Sequence, residues 1–120
     1  MPRPIGKKAK EIQQYMNVRT LELLEMTGSD TTQTHVIDNY FYDLDPTKLR
    51  AMIHALLRNG YTNVQSHRDP DPKSKLVSVI AEYVATPNEF NLNAMTDLGI
   101  ELADAFGCTY DGWGTGTVRD

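Results

Sequence analysis

The sequence predicts an α+β domain: one antiparallel sheet with two helices on one face and a further helix in front. Three observations carry this. Two segments, Leu49–Leu57 and Leu92–Phe106, space their apolar residues as helices do and open on helix-start signals. Stretches suited to strands flank them at Thr34–Tyr42, Tyr61–Ser66, Leu76–Val84 and Cys108–Tyr110. A Pro-rich loop, Asp69-Pro70-Asp71-Pro72, separates the middle two, because each Pro disfavours helix before it and removes a ladder donor.

Taken in order, residues 1–6 read as a loose arm with two Pro and a Gly. A helix follows from about Lys7 to Met26. Ile12, Met16 and Leu23 form a thin apolar stripe, with Tyr15 and Leu24 beside it, and the remaining face is charged. Such a helix is expected to dock onto a finished core. Gly28, within Thr27-Gly28-Ser29-Asp30, is the expected left-handed cap. In the first strand Ile37 and Phe41 share one parity with His35 and Asn39, while Val36, Asp38, Tyr40 and Tyr42 share the other. Ile37 and Phe41 are assigned to the core. Asp45 caps the next helix with Pro46 at its first position, where a missing N–H costs nothing. Leu49, Met52, Ile53, Leu56 and Leu57 give its buried stripe, and Gly60 ends it. The Val, Ile and Ala of Leu76–Val84 suggest a central strand. Thr86-Pro87-Asn88-Glu89 reads as a capping box. The stripe Leu92, Met95, Gly99, Leu102, Phe106 follows, closed by Gly107.

The end of the chain holds its densest signal, Tyr110-Asp111-Gly112-Trp113-Gly114, with the only Trp in the sequence. Asp-Gly signals a turn. The structural reading is that the glycines fold Trp113 back onto the domain. The functional reading is that Trp113 anchors a partner protein, as Trp often does at binding hot spots. Cys108 is expected to be a small buried filler.

A β-α-β-β-α-β order in an antiparallel sheet is that of the ferredoxin-like sandwich, with the first and third strands central. Residues 1–28 form the arm and helix, and 29–120 the sandwich. One sheet face remains for the first helix to cover in part or for binding. The 120 residues suit one core, and a formal charge of -4 argues against a nonspecific nucleic-acid binder. No stretch reads as a signal peptide or a membrane span, so a cytoplasmic protein is expected.

No phosphate loop or nucleophile elbow is present, and no catalytic residue is assigned. The single Cys excludes a multi-thiolate site, and His35, His54 and His67 lack ligand spacing, so no metal or cofactor is expected. His54 is placed at a helix rim and His67-Arg68-Asp69 in a solvated loop. Tyr40, Tyr42, Tyr61, Tyr83 and Tyr110 fall in or beside strands, where an RNA-binding domain of this topology would stack bases. The strands offer few Lys or Arg for phosphates and lack the corresponding aromatic motif, so direct nucleic-acid binding is not expected.

Gly28-Ser29-Asp30, then Gly60-Tyr61 after an amphipathic helix, then Phe106 before Tyr110-Asp111-Gly112-Trp113-Gly114, together resemble the regulator of ribonuclease E activity B family. The likeness runs from about Leu23 to Thr115. It implies a non-enzymatic ferredoxin-like protein that binds ribonuclease E outside its catalytic half and restrains messenger-RNA cleavage. Members can carry a long acidic tail, whereas here Arg119 follows the motif, and the first helix is more basic than the family suggests. Both departures bear on the partner, which on this reading is ribonuclease E or, as the alternative, another nuclease or protein. The residues expected to meet it are Asp38, Tyr40, Tyr110, Asp111 and Trp113.

Overall fold

The computed structural model describes residues 6–116 and 118. The elements run α1 Gly6–Met26, β1 His35–Asp43, α2 Pro46–Arg58, β2 Thr62–Arg68, β3 Val77–Ala85, α3 Glu89–Phe106 and β4 Thr109–Thr115. The sheet is antiparallel in the order β2-β3-β1-β4, which puts the first and third strands in the middle as the sequence predicts. This is the ferredoxin-like arrangement preceded by a helix. Among the described residues no helix is long and apolar enough to cross a membrane. Most of the arm, and Arg119, lie outside the described residues.

The core forms where strand parity and helical period agree. Ile37 and Phe41 on β1 and Val77, Val79 and Ala81 on β3 share one sheet face and are buried. Leu49, Met52 and Leu56 of α2 and Leu92 and Met95 of α3 close over them, with Tyr61 at the start of β2. Cys108 is buried as expected. Asp45 caps α2 by accepting the Thr47 N–H at 2.9 Å, ahead of Pro46. Gly28 and Gly107 follow α1 and α3 with φ of 85° and 71°.

Four expectations change. The cap of α3 is Asn88, which accepts the Asn91 N–H at 2.8 Å, so the helix starts two residues later than a Thr86 capping box would set it. Asparagine caps at least as well as threonine, and Pro87 fits the extended approach. Leu57 is exposed and Ala55 is buried in its place, because α2 turns a narrower stripe to the sheet. His67 and Arg68 belong to β2 rather than to a loop.

The largest change concerns α1. Its apolar stripe faces outward: Ile12, Tyr15, Met16, Leu23 and Met26 are all exposed. The packed face is polar instead. Gln14 donates to Asp97, Asn17 donates to Asn93 and Thr96, and Lys10 pairs with Glu101. These pairs run antiparallel along α3, so α1 lies beside α3 in the helix layer and the other sheet face stays open. Leu24, which is buried, and Leu21, which packs against the core, add apolar contact to these hydrogen bonds. The same contact buries Thr96, Ile100 and Ala103 on α3, while Leu102 and Phe106 are only half-buried.

Candidate partner-binding surface

β4 is longer than the sequence suggests. It runs through the whole Tyr110–Gly114 segment, so Asp111-Gly112 is not a hairpin turn. Phe41 lies opposite Tyr110 and Asn39 opposite Trp113, so two steps along β1 match three along β4. The extra residue is a β-bulge, and Gly112 within it takes φ 89°. Residues three apart on a strand normally face opposite ways. The bulge cancels that difference, and both Tyr110 and Trp113 point into the helix layer.

Each of these aromatics meets a buried asparagine. The Tyr110 hydroxyl donates to Asn39 Oδ1 at 2.7 Å, and its ring packs on Phe41 with centroids 5.1 Å apart. Trp113 Nε1 donates to Asn17 Oδ1 at 2.8 Å, which ties β4 to α1. Asn17 accepts a second bond from Gln13 at 3.0 Å. Gly99 of α3 makes room for Tyr110: a Cβ there would lie 3.0 Å from the ring. Burial raises the Tyr110 hydroxyl pKa well above its ordinary value, with a smaller push from Tyr61. Tyr61, whose hydroxyl donates to the Met95 carbonyl at 2.8 Å, is raised for the same reason, with Tyr83 adding to it.

The five expected contact residues therefore fall on two sides of the sheet. Tyr110 and Trp113 face the helices. Asp38 and Tyr40 face the open side, where Asp38 pairs in register with Glu82 and with Gly114. Asp111, pushed outward at the bulge, is exposed. Tyr40, Tyr42, Leu76, Ser78, Ile80 and Asp111 line an open groove of about 500 Å³ on that side. The open face thus carries three carboxylates, two tyrosines and the exposed pair Val36 and Val84. Of the five strand-associated tyrosines, Tyr61, Tyr83 and Tyr110 turn to the helix side. Only Tyr40 and Tyr42 remain for stacking, beside Asp38 and Glu82, which repel phosphate.

The closest approach to a catalytic pair is buried. Ser29 Oγ and His35 Nε2 are 2.8 Å apart, and His35 Nδ1 donates to the Gln33 carbonyl, also at 2.8 Å. Ser29 also accepts the Val118 N–H at 2.9 Å, so the pair fastens the start of β1 to the chain end. Among the described residues no group of three His, Cys, Asp or Glu side chains could hold a metal ion. The open face is acidic, complementary in charge to a basic surface.

Sequence reasoning missed Asn17, Asn39 and the outward stripe of α1. Asn39 had a signal: it shares core parity with Ile37 and Phe41. Asn17 had none, since it sits among polar residues on a polar helix face.

A sequence model of the family described as regulator of ribonuclease activity B matches residues 14–115. That span takes in all four strands, both sheet helices, and the Asn17 and Trp113 contact. No curated protein matches the chain significantly.

Proposed function

The chain belongs to the regulator of ribonuclease activity B family, and we propose that it acts in the cytoplasm by binding ribonuclease E outside its catalytic half and restraining messenger-RNA cleavage. It does so as a binding protein, without chemistry of its own. The observation that carries the reading is the extent of the family match, which runs unbroken through the complete sheet and includes both anchors of β4. The open face supports it. Asp38, Glu82 and Asp111 suit a basic stretch of the partner, speed its capture, and weaken with salt. Asp38, Tyr40 and Asp111 are the contact residues of the open face on this reading, while Tyr110 and Trp113 hold the strand that presents them.

The test is a titration of the purified chain into purified ribonuclease E acting on a defined transcript. Cleavage should slow and saturate as a complex forms, and deletion of the non-catalytic half of ribonuclease E should abolish both effects. Absence of a complex, with cleavage unchanged at saturating protein, rejects ribonuclease E as the partner and leaves another nuclease as the alternative.

A further inference from the structure

β4 is an edge strand, and among the described residues no other strand pairs with its outer side. Such an edge offers a row of backbone donors and acceptors to any extended chain. Natural edges are commonly blunted by Lys, Pro, a bulge or a covering element. This one, Thr-Tyr-Asp-Gly-Trp-Gly-Thr, has neither Lys nor Pro, and its bulge at Gly112 leaves regular pairing geometry at Thr109–Tyr110 and again at Trp113–Thr115. Alongside it lies the outward stripe of α1, with Ile12, Met16 and Leu23 exposed by 45, 52 and 59%. Two cavities show how the stripe and the edge are aligned. One, of about 250 Å³, is lined by Ile12 and Gln13 of α1 with Thr109, Tyr110 and Asp111 of β4. The other, also of about 250 Å³, is lined by Leu23 and Leu24 of α1 with Trp113, Gly114 and Thr115. Helix and strand thus run side by side in the same direction. From Ile12 to Leu23 the helix rises ~16 Å, and from Thr109 to Thr115 the strand covers ~20 Å. Wall and edge match in length.

We propose that this trough takes an extended segment of the partner polypeptide, added to β4 as a fifth strand, with apolar and basic residues alternating along it. The proposal rests on the binding reading above and specifies its geometry. Alternation follows from the strand period. Side chains on the helix side meet Ile12, Met16 and Leu23 and reach into the two cavities. Arg19, which lies along the same stripe, disfavours basic side chains toward the Leu23 end of that side, and Asp104, which lines the cavity at the Ile12 end, is half-buried. Side chains on the other side meet Asp111, with Asp38 one strand further in. Charge complementarity places the basic residues there. Main-chain hydrogen bonds to β4 supply affinity, and the two sets of side chains supply selection.

The experiment selects random twelve-residue peptides, displayed on phage, against the full chain, and measures the winners as synthetic peptides. The expected winners alternate apolar with Lys or Arg. Their binding slows amide exchange in Thr109–Thr115 and weakens at least tenfold in the double variant Ile12→Asp, Leu23→Asp. Both positions are exposed, so the variant's melt should stay close to that of the parent. Leu57→Asp, at a similarly exposed leucine of α2, should leave affinity unchanged. Failure to enrich any peptide, or winners that bind the double variant as well as the parent, overturns the proposal. The two readings fail separately. Loss of ribonuclease E as a partner in the titration above leaves a positive peptide result standing. Ribonuclease E binding that persists in the double variant removes the trough and keeps the partner.

Discussion

Asn17→Ala is the most informative single change, because one fully buried amide holds α1 to both α3 and β4. Four hydrogen bonds are lost. Gln13 and Asn93 are half-buried and can turn to water, so those two cost about 0.5 kcal/mol each. Thr96 keeps the Asn93 carbonyl at 3.4 Å as a weaker partner. The Trp113 N–H, on a half-buried ring that cannot turn as a free side chain does, has no such substitute and loses its partner, at about 1–3 kcal/mol. The sum is about 3 kcal/mol, a large part of the roughly 5–15 kcal/mol of a typical domain. Trp113→Phe removes that N–H together with part of the ring and should cost about 1–2 kcal/mol. In the double variant no N–H is orphaned. Its loss should therefore fall short of the sum by about 1–2 kcal/mol. Urea melts of the four proteins, followed by far-ultraviolet circular dichroism since Trp fluorescence disappears, give the coupling directly. Additivity within about 0.5 kcal/mol would mean that the 2.8 Å contact contributes nothing and that Trp113 is held by packing alone.

Three further outcomes follow from the geometry around β4. Gly112→Ala should cost about 1–2 kcal/mol by thermal or urea melt, since space around the residue is open and only its φ of 89° resists a side chain; Gly112→Asn should cost less. Gly99→Ala gains helix propensity of up to about 1 kcal/mol. It should still destabilise, because the new Cβ meets the Tyr110 ring at 3.0 Å and that ring is pinned by Asn39 and Phe41; a more stable variant in the same melt would show that the ring yields. Raised hydroxyl pKa values at Tyr61 and Tyr110 mean that the unfolded chain loses those protons first. Their contribution is intact below the ordinary value of 10.0 and falls as pH rises above it. A Tyr61→Phe variant should flatten that alkaline decline in stability.

The fold was legible because its strongest determinants are local. Asp45-Pro46 starts α2, Gly107 stops α3, and the apolar parity of Ile37 and Phe41 orients β1. What stayed illegible depends on pairs distant in sequence. The bulge at Gly112 exists only in relation to Asn39 and Phe41 on another strand, so Asp-Gly looked like a turn. α1 defeated the period argument in a different way. Its apolar residues do mark one face, but the buried face is the one whose amides find Asn93, Thr96 and Asp97 some eighty residues away, as the Asn17–Thr96 separation of 79 shows. Hydrophobic periodicity finds the face that dislikes water and says nothing of whether the protein itself or a partner covers it.

That last distinction changes how Trp113 must be read. On the sequence alone, the structural and functional readings of Trp113 are rivals. With Trp113 bonded to Asn17, they cease to be rivals. The indole holds α1 in place, and α1 carries Ile12 and Leu23, the wall of the trough beside β4. Loosening Trp113 would displace the wall as well as weaken the fold, so a parallel loss is expected even if the ring never touches a partner. Asp111 gives the cleaner test. It sits on the same bulge, is exposed, and has no hydrogen bond to Asn17 or Asn39 to disturb. Asp111→Asn should leave the melt within about 0.5 kcal/mol of the parent, as exposed substitutions do. It should weaken capture of a basic segment two- to fivefold at low salt, about 0.4–1 kcal/mol, and the difference should vanish as salt is raised. An unchanged affinity at low salt would place the basic side of the partner elsewhere than on the open face of the sheet.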